Sequence, residues 1–164
     1  MKQHGYRTSR SRRGSPVPVL LRLIIVVTLV IDAVVHIRLA PGYQSAAPDG
    51  IGEGNLFFFE AAAAAAAALY VLVRPGKVAY LAALVVAGGG LGVLLLYRYI
   101  DVPAFGPFPA MYEPVWFTEK TLTALAQVVA TIAAAIALHR TRLPRKSKKD
   151  TGEFLHRAHR RSRG

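Results

Sequence analysis

The stretch Val17-Pro-Val-Leu-Leu-Arg22-Leu-Ile-Ile-Val-Val-Thr28-Leu-Val-Ile-Asp32-Ala-Val-Val-His36-Ile-Arg38-Leu-Ala40 decides how the chain is read. It is apolar apart from a few polar positions, and it is long enough. A helix rises ~1.5 Å per residue, so about 20 apolar residues cross a hydrocarbon core of ~30 Å. Inside it, Thr28, Asp32 and His36 recur every four residues and share one helical face. An ionisable side chain at membrane depth costs roughly 2.5–3.5 kcal/mol on insertion scales, so the acid and the imidazole call for a partner, a wet cavity or a function.

The surrounding composition agrees with a membrane reading: 53% of the 164 residues are hydrophobic, and the charge falls in short blocks. The absence of cysteine excludes a disulfide framework, a thiolate metal site and dithiol redox chemistry. A formal charge of +12 would suit nucleic acid. The basic residues, however, lie in the tails and one short loop beside apolar spans, where they act as topology signals and contacts for anionic lipid headgroups. The tail 1–16 carries Lys2, Arg7, Arg10, Arg12 and Arg13 among Ser and Gly and reads as disordered and cytoplasmic. Arg12-Arg13 is not a twin-arginine signal, because Gly14-Ser15-Pro16 stands where that signal needs an apolar residue.

The pattern predicts four spans, at about 17–40, 55–73, 78–100 and 115–138. Pro41-Gly42 should end the first, and the Gly/Pro/Ser-rich segment to Gly54 should be a loop. The second holds an alanine run, Ala61 to Ala68, with Glu60 as its one internal charge. Arg74-Pro75-Gly76-Lys77 is a basic turn. The third contains Gly88 and Gly92, a G-x-x-x-G pair expected to pack against the alanine face of the second. It ends in Tyr97-Arg98-Tyr99-Ile100-Asp101, an aromatic belt. The Pro-rich apolar segment 102–114 should lie on the membrane surface or fold over the helix ends as a lid. In the fourth span Glu119, Thr123, Gln127 and Thr131 recur every four residues as a polar stripe, and a basic tail, 139–164, follows.

Five basic residues in the first tail, two in the 74–77 turn and ten in the last tail lie on one side, against none in 41–54 or 102–114. The positive-inside rule therefore places both termini in the cytoplasm. Asp32, His36, Glu60, Arg98, Asp101, Glu119 and Lys120 then fall in the outer halves of their spans, with Thr28, Gln127 and Thr131 reaching deeper. The expectation is one polar cluster opening towards the extracytoplasmic side, above a dry bundle packed by Ala and Gly. As a structural element, Asp32 would pair with Arg98 across helices.

Three chemistries can use such residues. A metal site would take His36 with Asp32, Glu60 and Glu119, although one His within the spans and no H-x-x-x-H or E-x-x-H spacing argue against it. A haem would need a second histidine, and His139 is at the wrong end. A proton or solute relay through Thr28, Asp32, His36 and Glu60 fits the residue types. No nucleotide fingerprint occurs, since the glycines at 88–92 lie mid-span.

Four spans with both ends inside, a polar first helix with His36 and Ala/Gly-rich later helices resemble the small DoxX-like membrane proteins of bacteria, and the combination of Asp32-x-x-x-His36, Leu94-x-x-Tyr97-Arg98-Tyr99 and Met111-Tyr112-Glu113-Pro114-Val115-Trp116 resembles membrane proteins of high-GC bacteria, over residues 17–138. Members linked to quinone or thiol oxidation use cysteines this chain lacks, so the resemblance implies fold rather than activity. The sequence thus predicts an all-α polytopic membrane protein, a four-helix transmembrane bundle in a bacterial cytoplasmic membrane. Two functional readings stand: a non-enzymatic accessory or binding protein, possible as a subunit of a membrane protein complex, or a small redox or proton-coupled protein binding a quinone, metal or solute. No cofactor is identified.

Overall fold

The computed structural model describes residues 17–46, 51–106 and 108–142. The expected tails 1–16 and 143–164 lie outside the described residues. Four helices form, α1 Val19–Ala46, α2 Glu53–Val73, α3 Lys77–Tyr99 and α4 Thr118–Arg142. Each is long and apolar enough to cross a membrane. The molecule is inside-out relative to a water-soluble bundle: its core is dominated by alanine, while Leu20, Val27, Phe59, Val85 and Leu125 are exposed. Small residues bring backbones close where no hydrophobic effect drives the helices together, and the large apolar side chains suit a lipid surround.

The helices are arranged in a ring in which α1 lies between α2 and α4, α3 closes the ring against α4 and α2, and α1 and α3 hardly touch. Packing is closest between α1 and α2 and loosest between α2 and α3 among neighbours. Two ends can be distinguished. The tail end carries the 74–76 turn. There Arg22 extends to donate to the carbonyl of Leu72 at 3.3 Å, a cation set against a helix C-terminus. Towards that end Ile25, Ala64, Val71, Tyr80, Ala83, Ala130 and Ala134 form a dry core. The loop end carries the α1–α2 and α3–α4 connections.

Two helices differ in extent from expectation, and the 102–114 segment takes one of its two expected forms. Helix α1 does not stop at Pro41-Gly42 but runs on to Ala46. Proline removes one N–H and crowds the carbonyl four residues back, yet tertiary contacts hold the last turns. Tyr43 stacks on Phe57 with centroids 4.3 Å apart, and Gln44 Oε1 accepts from the Asn55 amide at 3.2 Å. Gly54 is the residue that permits this, because a Cβ there would collide with the Ala40 carbonyl and Gln44. Second, α4 begins at Thr118 rather than near Val115, and runs on through His139 and Arg140 to Arg142. The 102–114 segment takes the lid form. Val102 pairs with Met111 and Phe105 with Phe108, with Gly106 at φ 57° in the turn. The Glu113 amide donates to the Tyr97 carbonyl at 3.0 Å, which folds the segment back over the end of α3, with Met111 buried.

Candidate functional site

Asp32 is 1% exposed and lies at the centre of a polar group formed by α1 and α4. Its Oδ1 accepts from Gln127 Nε2 at 3.0 Å and lies 3.2 Å from His36 Nδ1. The same Nδ1 lies 2.9 Å from the backbone oxygen of Asp32. Both neighbours are acceptors, so Nδ1 carries the hydrogen and Nε2 is the nitrogen left for other partners. The expected bridge from Asp32 to Arg98 is not made. The Arg98 guanidinium instead lies 4.9 Å from the centre of the Tyr99 ring and 5.7 Å from that of Trp116, a pair of cation–π contacts.

Gly90 of α3 closes this group from the other side. A Cβ there would stand 2.5 Å from Gln127 Nε2 and 2.6 Å from Glu60 Oε1, so the ends of these two side chains would have to shift to admit one. This is a different use of glycine from the one expected. Gly88 faces Thr131 of α4 at an ordinary 3.7 Å, and Gly92 meets nothing within 4 Å. The G-x-x-x-G pair does not pack on the alanines of α2, whose closest neighbour is α1.

From Gly88 onward no residue of α3 is fully buried, because this half of the helix borders a cavity of about 450 Å³ between α2, α3 and the lid. Its walls are mostly apolar and aromatic, including Phe57, Val86, Leu94 and Met111, and its polar groups are His36, Tyr43, Glu53, Glu60, Glu113, Lys120 and Thr123. At the lid, the Tyr43 hydroxyl donates to Glu113 Oε2. Lys120 donates to the Glu113 backbone oxygen at 2.5 Å and lies 3.4 Å from its Oε2. Trp116 and Phe117 flank that ammonium at 5.9 and 6.0 Å. Several buried oxygens around the polar group have no hydrogen-bond partner among the described residues: Asp32 Oδ2, Glu60 Oε1, Thr123 Oγ1, Gln127 Oε1 and Thr131 Oγ1. Unpartnered buried polar atoms cost roughly 1–3 kcal/mol each.

Of the residues singled out in the sequence, Asp32, His36, Glu60 and Gln127 are brought together. Thr28 is not part of the group, since its hydroxyl donates to its own helix, to Ile24 O at 2.8 Å. Arg98 joins the aromatic belt, and Asp101 and Glu119 are exposed. The α4 stripe is shifted. Four residues advance a helix about 40° beyond a full turn, so two such steps carry Glu119 away from Gln127, whereas Lys120, seven residues back, returns to within about 20° and is buried. Among the described residues there is no group of three or more His, Asp or Glu placed to hold a metal ion, so Asp32, His36 and Glu60 are not gathered as a ligand set. Lys120 borders the cavity as a member of the expected cluster, while Tyr43, Gly90, Glu113 and Thr123 are members that the sequence reading did not place in the site.

Fold and cavity define the class: a four-helix bundle with the dimensions of a multi-pass membrane protein, small residues inside, and a cavity with a polar floor at its loop end. No family model, curated protein or solved structure matches the chain.

Proposed function

We propose that the chain is an integral membrane protein, a non-enzymatic accessory or binding protein, that takes a small amphiphilic molecule into the cavity between α2 and α3. Both termini are cytoplasmic in this reading, and the cavity faces the extracytoplasmic side of a bacterial cytoplasmic membrane. The observation that carries it is the combination of a cavity of about 450 Å³ with apolar walls and the convergence of His36, Glu60, Thr123 and Lys120 at its polar surface. Ligand sites are typically clefts of roughly 300–1,000 Å³ with few, converging polar groups. The loose α2–α3 seam supports entry from the bilayer.

The experiment fills the cavity. Gly89 lines it, and a Cβ there meets nothing within 4 Å, so Gly89→Phe adds a ring without a backbone clash. Organic extraction and mass spectrometry should find a stoichiometric small molecule with the parent and not with Gly89→Phe, both folding alike. Equal recovery from both proteins would discard the reading.

A second reading, proton-coupled handling of the bound molecule, draws support from the His36–Asp32 pair, whose imidazole both borders the cavity and is held by a buried carboxylate. Under it His36→Gln abolishes coupled transport but leaves binding.

A further inference from the structure

The charges on the cavity wall do not balance. Glu53, Glu60 and Glu113 border it, and Lys120 is the one Lys or Arg that does. Lys120 is engaged by Glu113, within 3.4 Å. Asp32 adds a further buried carboxylate behind His36. Glu60 forms no salt bridge to a Lys or Arg among the described residues, and its Oε1 is buried and unbonded. Thr123, 3% exposed, also borders the cavity, and its hydroxyl is buried and unbonded. A carboxyl group removed from water either holds its proton or is compensated by a positive partner, and a bound cation is such a partner.

The walls indicate what kind of cation this is. A small metal ion requires several converging ligands, and no such group is present among the described residues. A lipophilic organic cation requires a wide apolar chamber, aromatic faces and one counter-charge. The cavity has all three, with Tyr43 and Phe57 stacked 4.3 Å apart beside His36, and Phe59, Tyr97 and Phe117 along its wall. Ring faces attract cations, most strongly where water is excluded.

We propose that the cavity binds a lipophilic organic cation, with Glu60 as its counter-charge, Thr123 as a hydroxyl contact, and the aromatic wall around its apolar groups. This rests on the cavity being a ligand site, as proposed above, and narrows that reading to a charge class. The Lys120–Glu113 pair then belongs to the lid, closing the chamber at the loop end without contributing net charge.

The test uses the purified full chain in lipid nanodiscs and three probes of similar bulk: tetraphenylphosphonium, the neutral triphenylphosphine oxide and the anion tetraphenylborate. Binding is measured by equilibrium dialysis against empty nanodiscs. The parent should bind the cation at least about tenfold more tightly than either other probe. Glu60→Gln should lose that preference while binding the neutral probe as the parent does, and Gly89→Phe should weaken both. If Glu60→Gln does not fold, Glu60→Asp keeps the charge and should keep the preference. Equal binding of cation and neutral probe to the parent, or an undiminished preference in Glu60→Gln, overturns the charge assignment while leaving the cavity reading intact. If Gly89→Phe alters the binding of no probe, the cavity reading itself fails.

Discussion

Single residues carry much of the site, and Gly90 shows how. Its hydrogen stands where a methyl group would crowd the amide of Gln127, which bonds Asp32, and the carboxyl of Glu60. Its neighbour Gly89 faces open space. Replacing a helical glycine with alanine gains up to about 1 kcal/mol in propensity, and Gly89→Ala should show that gain as a higher melting temperature. Gly90→Ala has the same gain and loses a buried hydrogen bond, so it should melt lower than Gly89→Ala by the equivalent of about 1–3 kcal/mol. Equal melting would mean that Gln127 and Glu60 can move aside freely. The Asp32–Gln127 bond itself is open to a double-mutant cycle. Gln127→Leu leaves the buried carboxylate with His36 as its one side-chain neighbour and should cost about 1.5–3 kcal/mol, while Asp32→Leu combined with Gln127→Leu should restore much of that loss, with non-additivity read from denaturant or thermal unfolding.

At the scale of elements, the four helices were legible because each is an uninterrupted apolar run, whereas their ends and partners were not. Pro41-Gly42 is a local stop signal, and nothing nearby in sequence shows that Phe57, Gln44 and Glu113 will hold two further turns in place. For the same reason Tyr43 was missed: a residue assigned to a loop has no helical face. Asp32, His36, Glu60 and Gln127 were found because a polar side chain in an apolar run stands out. Lys120 and Glu119 are adjacent, and only the true helical phase separates the buried one from the exposed one. The glycine motif failed as a guide because small-residue spacing says that a helix can pack closely but not which helix it meets. Gly92→Leu should accordingly leave the melting temperature nearly unchanged, within the equivalent of about 0.5 kcal/mol expected for exposed positions. The lid is tied to α1 by the Tyr43 hydroxyl on Glu113 and to α3 by the Glu113 amide on Tyr97. Tyr43→Phe removes only the first tie, so hydrogen exchange should quicken at Val102, Phe105 and Met111 while the helices stay protected.

At the scale of the whole molecule, the two ends of the bundle are chemically unlike. The tail end is a dry, alanine-packed core with Arg22 reaching the end of α2, and the loop end holds the cavity, its carboxylates and its lid. Which end faces the cytoplasm follows from the positive-inside reading, and it decides whether the cavity is loaded from outside or inside the cell. The chain has no cysteine, so single introduced thiols report without background. Gly42 is exposed at the loop end with nothing within 4 Å of an added Cβ. Arg74 is exposed in the turn at the opposite end. In intact cells Gly42→Cys should react with a membrane-impermeant maleimide and Arg74→Cys should not, whereas after permeabilisation both should react. The reverse pattern would place the cavity on the cytoplasmic face, and would require the basic tails to lie outside, where an excess of Lys and Arg is disfavoured. Labelling of both sites in intact cells would mean that the bundle does not span the membrane, leaving its exposed apolar surface without the lipid that otherwise accounts for it.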